Sequence, residues 1–136
     1  WSYGEGNNFM SQLLEKAEAG QTVEVAYDQI STPTSMDALA RGIIALMSGN
    51  EYGVYHVSCE GACSRYEFAK KILELTGHDT SLLKPVLAKD IEGGHQRPLH
   101  SVLENLMMKM TGIYQMPGWE ADLSEYLETR GIKHDG

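Results

Sequence analysis

The stretch Asp28-Gln29-Ile30-Ser31-Thr32-Pro33-Thr34-Ser35 constrains this chain more than any other. It follows a β-type run at 22–26 and leads into an apolar-periodic segment, so it joins a strand to a helix. It carries a carboxylate, an amide and four hydroxyls. Pro33 fixes one φ and biases Thr32 toward extended backbone, which stiffens the loop. Thr34 or Ser35 caps the following helix, but a cap needs one side chain and this loop supplies six polar ones. The surplus predicts that a polar ligand is met here.

On either side, helices and strands alternate. Asn7 or Asn8 reads as the cap of a helix reaching Ala19, with Phe9, Leu13, Leu14 and Ala17 on one face and Gly20 after its end. A second helix is predicted from Met36 to Ser48, with Leu39, Ile43, Ile44 and Met47 as its buried stripe. The β-prone run 53–57 reads as the next strand. Ser64 and Glu67 have capping-box spacing and open a helix to Thr76, with Gly77 beyond it. A strand at 82–86 contains Pro85 and therefore belongs at an edge. A short helix near 105–110 and a last one after Pro117, with Trp119, Leu123, Tyr126 and Leu127 on one face, complete the pattern. The prediction is an α/β chain in which a small sheet carries packed helices, with residues 1–136 as a single domain.

The net charge of −8 argues against nucleic acid or an anionic membrane as a general partner. No apolar run approaches the roughly 20 residues that span a bilayer, and residues 1–6 have no signal-peptide character. Cys59 and Cys63, thiols without a secretory leader, predict a reducing, cytoplasmic setting. With no initiating Met and an opening that reads as the end of a strand, the chain is expected to be part of something longer.

Three local patterns imitate chemistry and are set aside. Gly4-x-Gly6-x-x-Phe9 has a phenylalanine where a dinucleotide turn needs its third glycine, so no cofactor site is expected there. Cys59 and Cys63 are spaced C-x₃-C, and even with His56 they lack the second ligand pair of a structural zinc site; no metal is expected. Tyr66 and Lys70 match the Tyr-x-x-x-Lys acid/base spacing, but Phe68 and Ala69 between them belong to a packed stripe, and no Ser or Thr partner or cofactor turn precedes them.

Several motifs then occur in a fixed order: Trp1-x-Tyr-x-x-Gly-Asn-Asn-Phe9, Asp28-Gln-x-x-x-Pro-Thr34 with Asp37-x-Leu-Ala40, Gly53-x-Tyr-His56, Tyr66-x-Phe-Ala69, Arg97-Pro98-x-x-Ser-x-Leu103 and Pro117-x-Trp119. Together they resemble the C-terminal half of the dTDP-4-dehydrorhamnose reductases, extended short-chain dehydrogenases of the RmlD type, from residue 1 to about 128. The resemblance implies a substrate-binding subdomain whose Rossmann cofactor half lies elsewhere. The parent enzyme would use NADPH or NADH to make dTDP-L-rhamnose, and this portion alone would bind no cofactor and be inactive.

The resemblance also assigns residues. Trp1 corresponds to the tryptophan lining the sugar pocket, Asn8 to the asparagine opening the helix near the nucleotide-sugar, and Gln29 and Thr34 to the loop at the substrate cleft. Arg97 corresponds to an arginine facing the diphosphate, a role that suits a planar guanidinium. Ser31 stands where the family usually has glycine, so a loop needing φ > 0 there would be strained. Two other functions fit the same scaffold: a non-catalytic regulatory subunit, or a related nucleotide-sugar epimerase or dehydratase. Removal of a cofactor half would expose an apolar surface, which predicts homo-oligomers.

Overall fold

A buried helix, fixed by its own capping box, organises the rest of the chain. The computed structural model describes residues 1–50, 52–91 and 98–132. In it the Ser64 hydroxyl accepts the Glu67 N–H at 3.0 Å while the Glu67 carboxylate accepts the Ser64 N–H at 3.2 Å. This pair opens helix α3 (Arg65–Thr76), which Gly77 ends in the left-handed conformation at φ 74°. Phe68, Ala69, Ile72 and Leu73 of α3 are buried. Against them pack helix α1 (Phe9–Glu18), helix α5 (Trp119–Thr129), and the paired strands β2 (Val23–Ala26) and β6 (Leu83–Val86). β2 and β6 run parallel, with Val25 opposite Pro85. Pro85 has no N–H, which suits the outer strand of such a pair.

The chain is α/β, as its alternating elements predict, but the strands form three separate two-stranded ladders instead of one sheet. Strand β1 (Ser2–Tyr3) lies parallel to β4 (Thr34–Ser35), with Ser2 opposite Thr34. Strand β3 (Ile30–Ser31) lies antiparallel to β5 (Cys63–Ser64). The loop is therefore two short strands hinged at Thr32 and Pro33, and each strand reaches a distant part of the chain. A short helix α4 (Leu106–Thr111) precedes α5.

Two expectations are corrected. The run 53–57 forms no strand and belongs to none of the described ladders. In helix α2 (Met36–Met47) the inward residues are Ala38 and Gly42, whereas Ile43, Ile44 and Met47 face outward. The reason is the closeness of approach. A methyl at Gly42 would come within 2.9 Å of Val57 Cγ1 and Met116 Sδ, so α2 lies against its neighbours through its smallest residues.

Candidate functional site: a cleft beside the β1–β4 ladder

The polar loop spends most of its groups inside the protein. The Asp28 carboxylate accepts the Ala88 N–H at 2.8 Å. Ser31 donates to the Ser101 carbonyl at 3.2 Å, and Thr32 donates to the Gly61 carbonyl. Thr34 Oγ1 accepts the Cys59 N–H at 3.0 Å. Ser35 caps α2 by accepting the Ala38 N–H at 2.9 Å. The surplus beyond a single cap is therefore largely structural, a use that residue types alone do not separate from ligand binding. Ser31 is not strained, because among the described residues only glycines have positive φ and Ser31 sits in extended β3.

What the loop leaves open is a cleft of about 360 Å³ lined by Trp1, Ser2, Thr32, Thr34, Ser58 and Ser101. Leu39, Val57 and Leu103 give it an apolar lining. Its size, with apolar walls and several hydroxyl-bearing residues in its lining, is in the range of small-molecule sites. The β1–β4 ladder sets its geometry: the Thr34 N–H donates to the Trp1 carbonyl at 2.7 Å, and the Trp1 amine donates to the Thr32 carbonyl at 3.3 Å. A larger hollow of about 490 Å³ lies beside α4, but its charged groups serve one another: Glu60 pairs with Lys109 at 3.4 Å and accepts from Asn105 at 3.0 Å.

Of the five residues singled out in the sequence, the structure brings Trp1 and Thr34 together at the cleft. Asn8 is a helix cap: its Oδ1 accepts the N–H groups of Met10 and Ser11 at 3.0 and 3.2 Å, and its Nδ2 donates to the Gly4 carbonyl at 2.6 Å. Gln29 is buried, and its carbonyl accepts the Arg65 N–H at 3.0 Å. Neither Asn8 nor Gln29 lines the cleft. Arg97 lies outside the described residues.

The set-aside patterns can be placed as well. The Gly4–Phe9 turn is folded on itself by Asn8, and Phe9 packs on Phe68 at 6.1 Å, so these residues do not fit a dinucleotide pyrophosphate. The thiols of Cys59 and Cys63 are pushed up to about 12, chiefly by burial, which leaves them protonated and unreactive at neutral pH. Among the described residues no three His, Cys, Asp or Glu side chains converge as a metal site, and no helix is long and apolar enough to cross a membrane.

Two residues of consequence were missed. Asp122, only 1% exposed, accepts from Tyr3, Ser35 and Cys59. Its signal was a carboxylate on the apolar stripe of α5, adjoining Leu123. Arg65 places its guanidinium carbon 4.3 Å from the centroid of the Trp1 ring, a contact that leaves no trace in local sequence.

Residues 1–131 match the sequence profile of the RmlD substrate binding domain. The chain belongs to that family. It is 40% identical over 136 residues to the spore coat polysaccharide biosynthesis protein SpsK of Bacillus subtilis (strain 168), covering 99% of this chain and 47% of SpsK. Crystal structures of two dTDP-4-dehydrorhamnose reductases, each 34% identical, have the same fold. The Clostridium acetobutylicum protein gives a TM-score of 0.89 over 97% of this chain and 47% of its own. The Bacillus anthracis protein, crystallised with NADP, gives 0.86 over 95% and 45%. This RmlD-type chain thus spans about half the length of the relatives it matches.

Proposed function

We propose that this chain is the nucleotide-sugar-binding portion of a dTDP-4-dehydrorhamnose reductase, and that the whole enzyme reduces dTDP-4-dehydro-L-rhamnose to dTDP-L-rhamnose. The observation that carries this reading is that Trp1 and Thr34, joined by the hydrogen bond from the Thr34 N–H to the Trp1 carbonyl, both line one cleft together with apolar and hydroxyl-bearing residues. An indole offers a flat apolar face to a deoxysugar or base, and the hydroxyls around it can orient the polar edge. Arg97 is proposed to face the diphosphate, where a guanidinium would offset the chain's net charge of −8.

Residues 1–136 act as one substrate-binding unit in this proposal, located in the cytoplasm. Nicotinamide cofactor, NADPH by analogy with the Bacillus anthracis reductase crystallised with NADP, is held by the other half of the enzyme. Without that half the chain binds product but does not turn over. The apolar outer face of α2 is where it is proposed to self-associate when alone.

Calorimetric titration with dTDP-L-rhamnose, with NADPH as a parallel arm, tests the reading. Binding of the sugar nucleotide and not of NADPH is expected, weakened about tenfold by Trp1→Ala, in keeping with the roughly 1.4 kcal/mol that a tenfold change represents. Equal affinity in Trp1→Ala, or no binding by the unmodified chain, would remove the cleft from the proposal.

A further inference from the structure

Arg65 is the first residue of α3, and its guanidinium lies against two aromatic rings. Its Cζ is 4.3 Å from the centroid of Trp1 and 4.7 Å from that of Phe9. The same two rings stack on Phe68, at 6.4 Å and 30° for Trp1 and at 6.1 Å and 24° for Phe9. Arg65 and Phe68 are three residues apart in a helix and so occupy one face of it. Both rings are thus held from that face, by a planar cation and by a third ring.

The main chain adds to this. The Arg65 N–H donates to the Gln29 carbonyl at 3.0 Å, and Phe9 directly follows the helix cap Asn8. Arg65 thus touches Trp1 through its side chain and Gln29 through its backbone, two positions that the sequence singles out. The Trp1 backbone is fixed by its bonds to Thr34 and Thr32, but backbone bonds leave the side-chain torsions free. Arg65 and Phe68 supply what holds the ring.

We propose that Arg65 is a positioning residue for Trp1: its guanidinium sets the orientation in which the indole forms the cleft wall. This rests on the reading of that cleft as the ligand site. Arginine suits the task because its flat, weakly hydrated guanidinium stacks on ring faces, whereas a lysine ammonium keeps its water and has no plane. Arg65→Lys keeps the charge and loses the stack; Arg65→Met keeps an apolar stem and loses both.

The test labels both tryptophans with 5-fluorotryptophan, assigns the two fluorine resonances with Trp1→Phe, and compares the unmodified chain with Arg65→Met and Arg65→Lys. The Trp1 resonance is expected to shift and broaden in Arg65→Met, and less in Arg65→Lys, while that of Trp119 and the melting midpoint stay in place. Titration with dTDP-L-rhamnose is expected to show about tenfold weaker binding in Arg65→Met and partial rescue in Arg65→Lys. An unchanged Trp1 resonance in Arg65→Met would overturn the proposal, as would an altered resonance with undiminished affinity. Failure of the unmodified chain to bind dTDP-L-rhamnose would overturn the ligand reading instead, with the fluorine spectra still deciding whether Arg65 holds the ring. Should Arg65→Met not fold, Arg65→Lys carries the same comparison.

Discussion

The carboxylate of Asp122 takes both polar hydrogens of Ser35, the hydroxyl at 2.6 Å and the backbone N–H at 2.7 Å, across 87 residues of sequence. The same carboxylate accepts the Tyr3 hydroxyl and the Cys59 thiol, each at 3.2 Å. Ser35 in turn caps α2 and adjoins Thr34 at the cleft. One buried acid on α5 thus joins β1, β4, the start of α2 and the segment carrying Cys59. It fixes the frame in which Trp1 and Thr34 face their cleft.

Removing that acid leaves buried donors without an acceptor. Each such donor costs about 1–3 kcal/mol, more than the hydrogen bond itself contributes. Asp122→Ala is expected to lower folding stability by about 3 kcal/mol or more. Asp122→Asn, which keeps one carbonyl oxygen, should lose roughly half as much. Urea denaturation with an unchanged m-value checks this; a loss in Asp122→Ala below about 0.5 kcal/mol, the scatter of ordinary surface changes, would deny the carboxylate this role.

Alkaline pH should weaken the fold through the two thiols. Burial, reinforced at Cys59 by Asp122 and at Cys63 by Glu67 and Glu120, raises each to about 12. An unfolded cysteine releases its proton near pH 8.5 or so. Between about pH 9 and 12 the folded chain therefore binds more protons than the unfolded one, and stability falls as pH rises, by at most about 1.4 kcal/mol per pH unit for each thiol. Below that window this source contributes no slope. Melting midpoints from pH 7.5 to 10.5 should stay level and then decline, and the decline should be shallower in Cys63→Ser. Tyr3, whose phenol is also raised by burial and by Asp122, steepens the loss above about pH 10, the ordinary tyrosine value.

What was legible in the sequence was what is local. Asn8, the Ser64–Glu67 box and Gly77 announce helix ends because a cap and its partner lie within four residues, and the stripe Trp119, Leu123, Tyr126, Leu127 is buried as its spacing predicts. Arg65 and Asp122 were hidden because their partners are remote: Trp1 and Phe9 for one, Tyr3, Ser35 and Cys59 for the other. The loop misled because a hydroxyl that serves a ligand and one that serves a distant carbonyl look alike in sequence. In α2, hydrophobic periodicity chose the larger residues, while close approach selected Ala38 and Gly42.

Thr34 allows its two roles to be separated. Its Oγ1 accepts the buried Cys59 N–H, and it also lines the cleft. Thr34→Val keeps the shape and removes the acceptor, so a loss of about 1–3 kcal/mol in stability is expected. Thr34→Ser keeps the oxygen and should be near neutral in both stability and affinity for dTDP-L-rhamnose. Destabilisation by Ser with none by Val would mean that the methyl, and not the hydroxyl, matters.

The outer face of α2 gives the last prediction. Ile43 is 44% exposed, Met47 79% and Tyr52 93%, and all three line a hollow of about 320 Å³; Ile44, on the same helix, is 62% exposed. Large apolar side chains grouped in this way mark a contact surface. The face contributes little to folding, so Ile44→Glu with Met47→Lys should change stability by no more than about 0.5 kcal/mol for each substitution. Its effect should appear in assembly: sedimentation of the unmodified chain is expected to show concentration-dependent dimers or larger species, and the double variant only monomer. A monomer at every concentration for the unmodified chain would end the self-association proposal. Dimers that persist in the double variant would move the contact to another face.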